Sequence, residues 1–390
     1  MQNKIQDLYT YTIVGAGASG LWLAYSLFKN KLLENNTLCI VENDTKKTND
    51  RTWCYWSEEP ISPLDINSKT WDFILNTRFP NHSEKLLPYK YYHVRSNDFY
   101  LRIKLELSSC KNVSWKFDEV TEVNELADSV QIKTTQGSWN SERTFLSTPL
   151  TKKEPNYKIK DDLWIWQSFY GWRVKTSAPI FNDMQMSMMN FNVYQGNNTQ
   201  FIYELPFSKT EALVEMTRFG VEIISKNEAE IELQKWMNSK NVNFEILEFE
   251  FGIIPMTTAF DKQPKYFAES QRIIYIGTPA GAIKPTSGYG FKRMQQYGHD
   301  LSVALKNKSK LPSMRRKSRF RLYDILLLQI LINKPEKGKQ IFEELFKHQP
   351  IKRILKFLDE ETNILEEIRI FSKLPINLFL NSLFSYLVKK

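Results

Sequence analysis

Cysteine, histidine and long apolar runs are scarce in this sequence of 390 residues. The three cysteines are scattered and odd in number, which argues against a disulfide framework and favours a reducing compartment. The four histidines show no ligand spacing to one another or to the cysteines, so we expect no metal site. No run approaches the roughly 18 apolar residues that a membrane-spanning helix needs, so we expect no such helix. The first residues lack a basic segment followed by an apolar one, so we expect no signal peptide.

Acidic residues are missing from one strongly basic segment. The net charge is +9, and eight basic residues lie between Lys306 and Arg321 with no acidic residue among them. A solvated helix face is one interpretation, and a nucleic-acid site is disfavoured because no recognition motif is present. Because apolar stretches follow at 325–332 and 374–388, we expect a cytoplasmic protein peripherally associated with a membrane surface. The basic residues are Lys306, Lys308, Lys310, Arg315, Arg316, Lys317, Arg319 and Arg321.

A glycine motif near the start is the strongest local signal. An apolar pair precedes a Gly-x-Gly-x-x-Gly turn within residues 13–20, and apolar residues at helical spacing follow at 21–28. This strand–turn–helix order is typical of dinucleotide sites, where glycines allow a tight turn, close approach of a pyrophosphate and close helix packing. Glu42 ends the next strand about 20 residues further on, where a ribose-binding carboxylate is expected. The predicted contacts are Ile13, Gly15, Ala16, Gly17, Ala18, Ser19, Gly20 and Glu42.

The hydrophobic pattern changes along the chain and predicts three parts. An α/β pattern at the start indicates a Rossmann-like domain, and the buried strand at 273–276 is expected to return to it. Period-two patterning at 164–219 predicts an antiparallel sheet, whereas the proline-containing stretch 57–88 is expected to be irregular. We predict a discontinuous nucleotide-binding domain of residues 1–56, 90–155 and 270–305. An antiparallel-sheet substrate domain would span 57–89 and 156–269, and a helical membrane-facing region would span 306–390.

Four further stretches occur together in this sequence: 50–56, 205–217, 252–256 and 277–291. With them, the chain from Tyr11 to about Leu383 resembles the bacterial lycopene β-cyclases, a flavin-dependent carotenoid cyclase family. The resemblance implies a fold similar to flavin monooxygenases and geranylgeranyl reductases, with FAD at the first glycine motif. It also implies cyclisation of the linear ends of lycopene to β-ionone rings, giving γ- or β-carotene without net redox change. Reduced FAD would be the active form and NAD(P)H its electron source.

A second glycine-rich loop, Gly277–Gly290, lies between a strand and a helix. In flavoproteins of this kind such a loop lies beside the flavin ring and turns backbone N–H groups toward it. Flavoprotein hydroxylases usually carry Asp after the first glycine, and Thr278 disfavours that class. The alternatives are an FAD-dependent monooxygenase, a prenyl or carotenoid reductase, and a non-enzymatic prenyl-lipid carrier. The expected flavin contacts are Arg51, Gly277, Thr278, Gly281, Thr286, Gly288 and Tyr289.

Cyclisation requires an acid that delivers a proton to a terminal double bond inside an apolar pocket. Glu215 stands in the apolar strand 213–216, where burial would raise its pKa, and the resemblance places it on the acidic residue proposed as the family's proton donor. Alternation places Leu213 and Glu215 on one face. Glu204 is the nearest competitor.

Aromatic faces stabilise a developing carbocation, so aromatic residues are expected around the substrate. The predicted substrate pocket consists of Trp53, Trp56, Trp172 and Glu204. The family usually carries Asp where Asn190 stands, so the base that removes the final proton is left open. The sequence indicates no oligomeric state.

Overall fold

The first glycine motif stands at the carboxyl end of a parallel strand, followed directly by a helix. The structure is a computed structural model that describes residues 8–44, 51–64, 69–76, 82–148, 162–261 and 270–388. Strands β1 to β11 are Leu8–Val14, Leu38–Glu42, Thr52–Ser57, Lys69–Trp71, Phe73–Leu75, Ser83–Lys85, Lys90–Arg95, Val113–Phe117, Val120–Glu125, Val130–Thr134 and Ser138–Leu146. Strands β12 to β17 are Trp164–Thr176, Gln185–Asn190, Thr199–Pro206, Glu211–Gly220, Phe244–Thr257 and Ile273–Tyr275.

The helices concentrate in the last quarter of the described chain. Helices α1 to α9 are Ala18–Lys29, Ser96–Leu107, Lys226–Asn238, Phe291–Lys306, Ser318–Asn333, Gly338–His348, Ile351–Leu358, Ile364–Phe371 and Ile376–Val388. Helix α3 begins with a capping box in which Ser225 and Glu228 satisfy each other's backbone N–H groups. In the part of the chain that the structure describes, none of the helices has the length and apolarity needed to cross a bilayer.

The first sheet is built from three separate segments of the chain. Its strand order is β8-β2-β1-β11-β10-β9, and β17 pairs with β11. The strands β8, β2, β1, β11 and β17 pair in parallel, whereas β10 and β9 form an antiparallel extension. Apolar side chains of β1, β2, α1, α2 and α4 form one core. The buried strand predicted at 273–276 therefore joins this sheet, as expected.

The second sheet is mainly antiparallel and carries the longest strands. Its order is β16-β12-β15-β14-β13-β5-β6, and among the described strands of this sheet only β13 and β5 pair in parallel. Helix α3 covers one face of the sheet, and helices of the C-terminal region pack on the other. The division of the faces follows the period-two pattern, because neighbouring residues on a strand point to opposite sides.

A third, three-stranded sheet of order β3-β7-β4 stands beside these two. The prediction that residues 57–88 are irregular is wrong in part, because β4, β5 and β6 lie within it. These strands have only three residues each, so they show no alternation that sequence inspection could recognise.

Candidate functional site

The first glycine turn brings Glu42 next to the start of α1. Gly15 adopts φ = +96°, a conformation that glycine takes without strain. The N–H of Ala16 donates to Oε2 of Glu42 at 2.7 Å, so the carboxylate at the end of β2 lies directly beside the turn. The parallel pairing of β1 with β2 produces this approach, since both strands end at the same edge.

The turn leaves room and hydrogen-bonding capacity for an anionic group. A Cβ at Gly17 would meet no atom of the described residues within 4 Å apart from its chain neighbours, whereas a Cβ at Gly20 would collide with the Gly15 carbonyl. Helix α1 has no side-chain cap and no acidic residue in its first turn, so no side chain of the helix itself neutralises its positive end. Ser19 Oγ is buried and has no hydrogen-bond partner among the described residues. These features fit the pyrophosphate of a dinucleotide.

The Gly277–Gly290 loop turns back on itself. Gly277, Gly281 and Gly288 all have positive φ, and a Cβ at Gly277 would lie 2.8 Å from the Ser19 hydroxyl, so the two glycine stretches touch. The N–H groups of Ala280 and Gly281 donate to the carbonyls of Gly277 and Thr278, both at 3.0 Å. The expectation that this part of the loop turns its N–H groups toward a ligand is therefore wrong. Its first turn is a short 3-10 helix.

A buried ionic cluster holds the loop against the C-terminal helices. Lys284 Nζ lies 3.0 Å from Asp324 and 3.3 Å from Glu360. Thr286 Oγ1 donates to Asp324 at 2.5 Å, so this hydroxyl is engaged in the protein rather than directed at a ligand. Arg316 pairs with Asp324 and Glu360 and also contacts Asp261 at 3.2 Å.

A cavity of about 210 Å³ lies between this loop and the second sheet. Residues 286–291 form one wall, and side chains of β12, β14, β15 and β16 form the opposite wall. Helices α5, α6 and α7 contribute apolar side chains. Gln167 Oε1 lies beside Gly288 in the cavity wall and has no hydrogen-bond partner among the described residues. This oxygen can therefore accept a hydrogen bond from an N–H group on the edge of a bound ring. Its aromatic lining residues are Trp53, Phe169, Phe201, Tyr203, Phe219, Tyr289, Phe291, Phe342, Phe346 and Phe357.

Two carboxyl groups face this cavity. Glu215 of β15 is 7% exposed, and burial together with the nearby charge of Glu250 raises its pKa well above the usual value. Glu250 of β16 accepts a hydrogen bond from Thr52 Oγ1 at 3.0 Å. Burial raises the pKa of Glu250 too, while that hydrogen bond and the charges of Arg51 and Arg95 oppose the increase. Glu215 is thus the more readily protonated of the two.

Three tyrosines join their hydroxyl groups at the cavity wall. Tyr91 lies 2.7 Å from the hydroxyl of Tyr203 and 2.8 Å from that of Tyr289. Cys54 stands beside them, and burial raises the pKa of its thiol to about 12. At neutral pH this group is therefore neutral, which excludes a reactive thiolate.

The sequence of this chain matches one family over almost its whole length. A sequence model described as lycopene cyclase protein matches residues 11–383. The chain belongs to the lycopene cyclase family. Membership supports an enzyme of carotenoid cyclisation on a flavoprotein fold. No curated protein sequence matches the chain.

Solved flavoproteins share the fold of this lycopene cyclase family member. A flavoprotein/dehydrogenase from Cytophaga hutchinsonii superposes with a TM-score of 0.58 at 11% identity, covering 93% of this chain and 98% of its own. A geranylgeranyl bacteriochlorophyll reductase-like protein from Thermoplasma acidophilum gives 0.54 at 11%, covering 96% of both chains. A flavin-dependent brominase gives 0.55 at 13%, covering 98% of this chain and all of its own. The predicted α/β fold with flavin-monooxygenase and geranylgeranyl-reductase likeness is confirmed.

In this lycopene cyclase family member, two of the predicted pocket residues lie near the cavity. Trp53 lines it and stacks on Phe291 with ring centroids 5.0 Å apart. Trp56 lies behind the wall, edge-on to Tyr289 at 4.8 Å. Arg51 is exposed and lies just before β3, and its backbone N–H donates to Ser96 Oγ at 3.1 Å.

Two other predicted pocket residues face away from the cavity. Trp172 packs with Phe244 in the core under α3, and Glu204 accepts a hydrogen bond from Trp236 of α3 at 3.2 Å. The assignment of Trp172 and Glu204 to the pocket is corrected for one reason. Gly171 and Tyr203 lie on the face of the sheet that borders the cavity. Trp172 and Glu204 follow them directly in the sequence, and neighbouring residues on a strand point to opposite faces.

The basic segment is less uniform than its sequence indicates. Arg316 is buried in the ionic cluster, and Arg319 pairs with Glu367 at 2.9 Å. The interpretation of the whole segment as a surface is therefore wrong for Arg316, whereas Arg319 is half-buried. Exposed side chains remain at Lys306, Lys308, Lys310, Arg315 and Lys317.

Glu250 is the functional candidate that sequence reasoning missed. The opposite face of its strand exposes apolar residues, including Phe249 and Phe251. The strand therefore lacks the usual pattern of polar residues toward solvent and apolar residues toward the interior, from which the buried face could be predicted. The nearby stretch 252–256 was a family motif and is the signal that could have directed attention to this strand.

Proposed function

We propose that this protein is an FAD-dependent lycopene β-cyclase, an isomerase that forms β-ionone rings without net redox change. The observation that carries the proposal is Glu215, a buried acid in an apolar cavity that the Gly277–Gly290 loop also lines. A carboxyl group with a raised pKa remains protonated near neutrality and can donate to a terminal double bond. The family match over residues 11–383 supports the same chemistry.

The two glycine stretches would hold the cofactor in this proposal. The turn from Ile13 to Gly20, including Ala16, Ala18 and Ser19, would hold the pyrophosphate, and Glu42 would hold the ribose. Gly277, Thr278, Gly288, Tyr289 and Arg51 would border the flavin ring. Reduced FAD supplies negative charge near a developing cation when bound, and NAD(P)H would keep it reduced.

The cavity lining suits a cationic hydrocarbon. Trp53, Phe169 and Phe291 are among its aromatic residues, and a cation over such a ring gains about 0.5–2 kcal/mol. Cys54 and the tyrosine cluster stay neutral, so no competing nucleophile is generated there. The residues of this chain therefore shield the cation and deliver one proton, which is what ring closure requires.

We also propose that the substrate enters from a membrane surface. Helices α8 and α9 expose apolar side chains, of which Phe384 is 70% exposed. Such helices can lie in the lipid interface, and the exposed lysines after α4 can meet anionic headgroups. The exposed apolar residues are Ile364, Leu365, Ile368, Ile376, Leu380, Phe384, Leu387 and Val388.

The test uses the purified protein with lycopene in liposomes, FAD and NADPH, without oxygen. We expect products of unchanged mass that carry β-rings, with no stoichiometric consumption of NADPH. A gain of oxygen or hydrogen would instead indicate a monooxygenase or a reductase. A colourless preparation that cannot be loaded with FAD would favour a lipid carrier.

Glu215→Gln should abolish turnover because the amide cannot donate the proton. FAD binding and the thermal unfolding midpoint are measured on the same sample, so loss of folding is distinguished from loss of the acid. Glu222→Gln, an exposed change just after β15, is the matched control and should retain full activity. Full activity of Glu215→Gln would remove this residue from the mechanism.

A further inference from the structure

Four residues form a row across the second sheet at the level of the cavity. Tyr203 of β14 lies opposite Glu215 of β15, Glu215 lies opposite Gly171 of β12, and Gly171 lies opposite Glu250 of β16. Residues directly opposite each other in a sheet point to the same face. The side chains of Tyr203, Glu215 and Glu250 therefore share the cavity face, in agreement with their place in its lining.

Gly171 leaves the space between the two glutamates open. A Cβ at this position would lie 2.9 Å from Cγ and 3.3 Å from Oε1 of Glu215, so the Glu215 side chain lies over the glycine. Strands two apart are separated by about 10 Å, which two extended glutamate side chains can largely bridge. No side chain from β12 separates the carboxyl groups.

The surroundings of the two carboxyl groups differ in a consistent direction. Burial raises the pKa of both carboxyl groups. At Glu250 the hydrogen bond from Thr52 and the charges of Arg51 and Arg95 oppose that increase, and the charge of Glu248 adds to it. At Glu215 the charge of Glu250 adds to the increase, and the nearby Cys54 and Tyr289 are neutral. Lys284 also lines the cavity, but its charge is engaged by Asp324 and Glu360.

We propose that Glu215 and Glu250 act as a pair that holds one proton, with Glu215 as the acid and Glu250 as the base that removes the final proton. This proposal rests on the proposed cyclase function. Paired carboxyl groups whose surroundings separate their proton affinities are a general solution to acid–base chemistry at neutral pH.

The proton balance of the cycle closes within the pair. The O–H bond of Glu215 breaks as a C–H bond forms at the terminal double bond, and the π electrons of the neighbouring double bond then form the ring C–C bond. A C–H bond next to the resulting cation breaks, its electrons form the ring double bond, and the proton goes to the Glu250 carboxylate. Transfer of that proton back to Glu215 resets the site, and nothing is oxidised or reduced.

Infrared spectroscopy tests the pair without any turnover. We expect the wild-type protein at pH 7 to show the C=O stretch of a protonated carboxyl group that is missing from Glu215→Gln. In Glu250→Gln the band should remain, and its titration midpoint should move to lower pH by at least about one unit because a neighbouring negative charge is lost. Glu245→Gln, an exposed change on the same strand, should leave the band unchanged. An unchanged midpoint in Glu250→Gln would overturn the pairing.

Kinetics then test the role of Glu250 as the base. Loss of a general base costs about 100- to 10,000-fold, so kcat of Glu250→Gln should fall by at least 100-fold with KM little changed. The decline of kcat at low pH, where the Glu250 carboxylate becomes protonated, should disappear, and Glu250→Asp should restore part of the rate. A wild-type rate with an intact low-pH decline would overturn the base assignment. If the wild-type protein fails to cyclise lycopene, the proposed function fails, while the infrared titration still decides the pairing.

Discussion

At the scale of single residues, burial of Glu215 has a cost that depends on pH. The folded state keeps the proton above the ordinary pKa of about 4.3, whereas the unfolded chain releases it. The folded state therefore binds more protons in this range, and the contribution of Glu215 to stability falls as pH rises above the unfolded value. Glu215→Gln removes this dependence.

We expect the thermal unfolding midpoints of Glu215→Gln and the wild type to agree near pH 4. At pH 8 the variant should be more stable, because it no longer has to hold a proton that the unfolded state gives up. Differential scanning calorimetry across this range measures the effect, with Glu222→Gln as the control. Equal midpoints at every pH would show that the side chain ionises without penalty in the folded protein.

Gly171→Ala should disturb the Glu215 carboxyl group without unfolding the sheet. The added Cβ would lie 2.9 Å from Glu215 Cγ, so that side chain must move. A displacement of about 1 Å at a reacting group can cost on the order of 100-fold in rate, and we expect a loss of that size in kcat. Gly137→Ala is the control, since a Cβ there would meet nothing within 4 Å and the rate should stay unchanged.

At the scale of elements, two glycines of one turn should respond differently to alanine. Gly17→Ala should leave the unfolding midpoint unchanged but weaken FAD binding by at least 10-fold, because its Cβ enters open space where a phosphate would approach. Gly20→Ala should lower the midpoint, because its Cβ collides with the Gly15 carbonyl and separates α1 from β1. Calorimetry without cofactor and titration with FAD separate the two effects. Equal behaviour of the two variants would contradict this division of roles.

The ionic cluster under the second loop should be intolerant of losing one partner. Arg316→Met leaves Asp261, Asp324 and Glu360 short of a positive charge in a buried site. Removing one partner of a buried pair typically costs about 3–5 kcal/mol, so the midpoint of urea unfolding should fall clearly. Arg315→Met, an exposed neighbour, should have no effect. A midpoint equal to that of the wild type would mean that the cluster relaxes around the lost charge.

The elements also show what the sequence could and could not predict. Local patterns are sufficient to predict the glycine turn and α1. Alternation along β15 correctly predicts that Glu215 and Leu213 point to the same face. Alternation within one strand does not reveal which residues of two strands stand opposite each other. Residue type and apolar neighbours favour Glu204 and Trp172 as pocket residues, but they do not show which face of a strand borders the cavity. The pairing of Gly171 with Glu250 depends on the register between β12 and β16, which the sequence of either strand alone does not determine.

At the scale of the whole molecule, the exposed apolar side chains of α9 should determine membrane binding. Leu380→Ser combined with Phe384→Ser should reduce binding to anionic liposomes by at least 10-fold, because each side chain contributes about 1.5–3 kcal/mol when buried. Co-sedimentation measures the bound fraction. Ile231→Ser, on the exposed side of α3, is the matched control and should bind as the wild type does. Unchanged binding of the double variant would exclude α9 from the contact.

The large-scale organisation depends on contacts that no local pattern encodes. Three sequence segments contribute to the first sheet, and the ionic cluster joins the second loop to α5 and to Glu360, two residues beyond α7. The sequence did predict that residues 273–276 return to the first sheet, because a buried strand before a glycine-rich loop has a known place in such folds. The three-part division at residues 1–56, 90–155 and 270–305, at 57–89 and 156–269, and at 306–390 stays a proposal.

The late position of β17 sets an order for synthesis of the protein. The first half of β11 pairs with β10, whereas its second half, Thr144–Leu146, pairs with Ile273–Tyr275 of β17. This second pairing cannot form until β17 has been synthesised. At about 5–20 residues per second, the ribosome needs on the order of ten seconds to travel between them. During that interval the nascent chain carries an open strand edge beside the glycine turn, and such edges pair readily with other chains. Slow translation therefore extends the period in which a newborn copy is most exposed to aggregation.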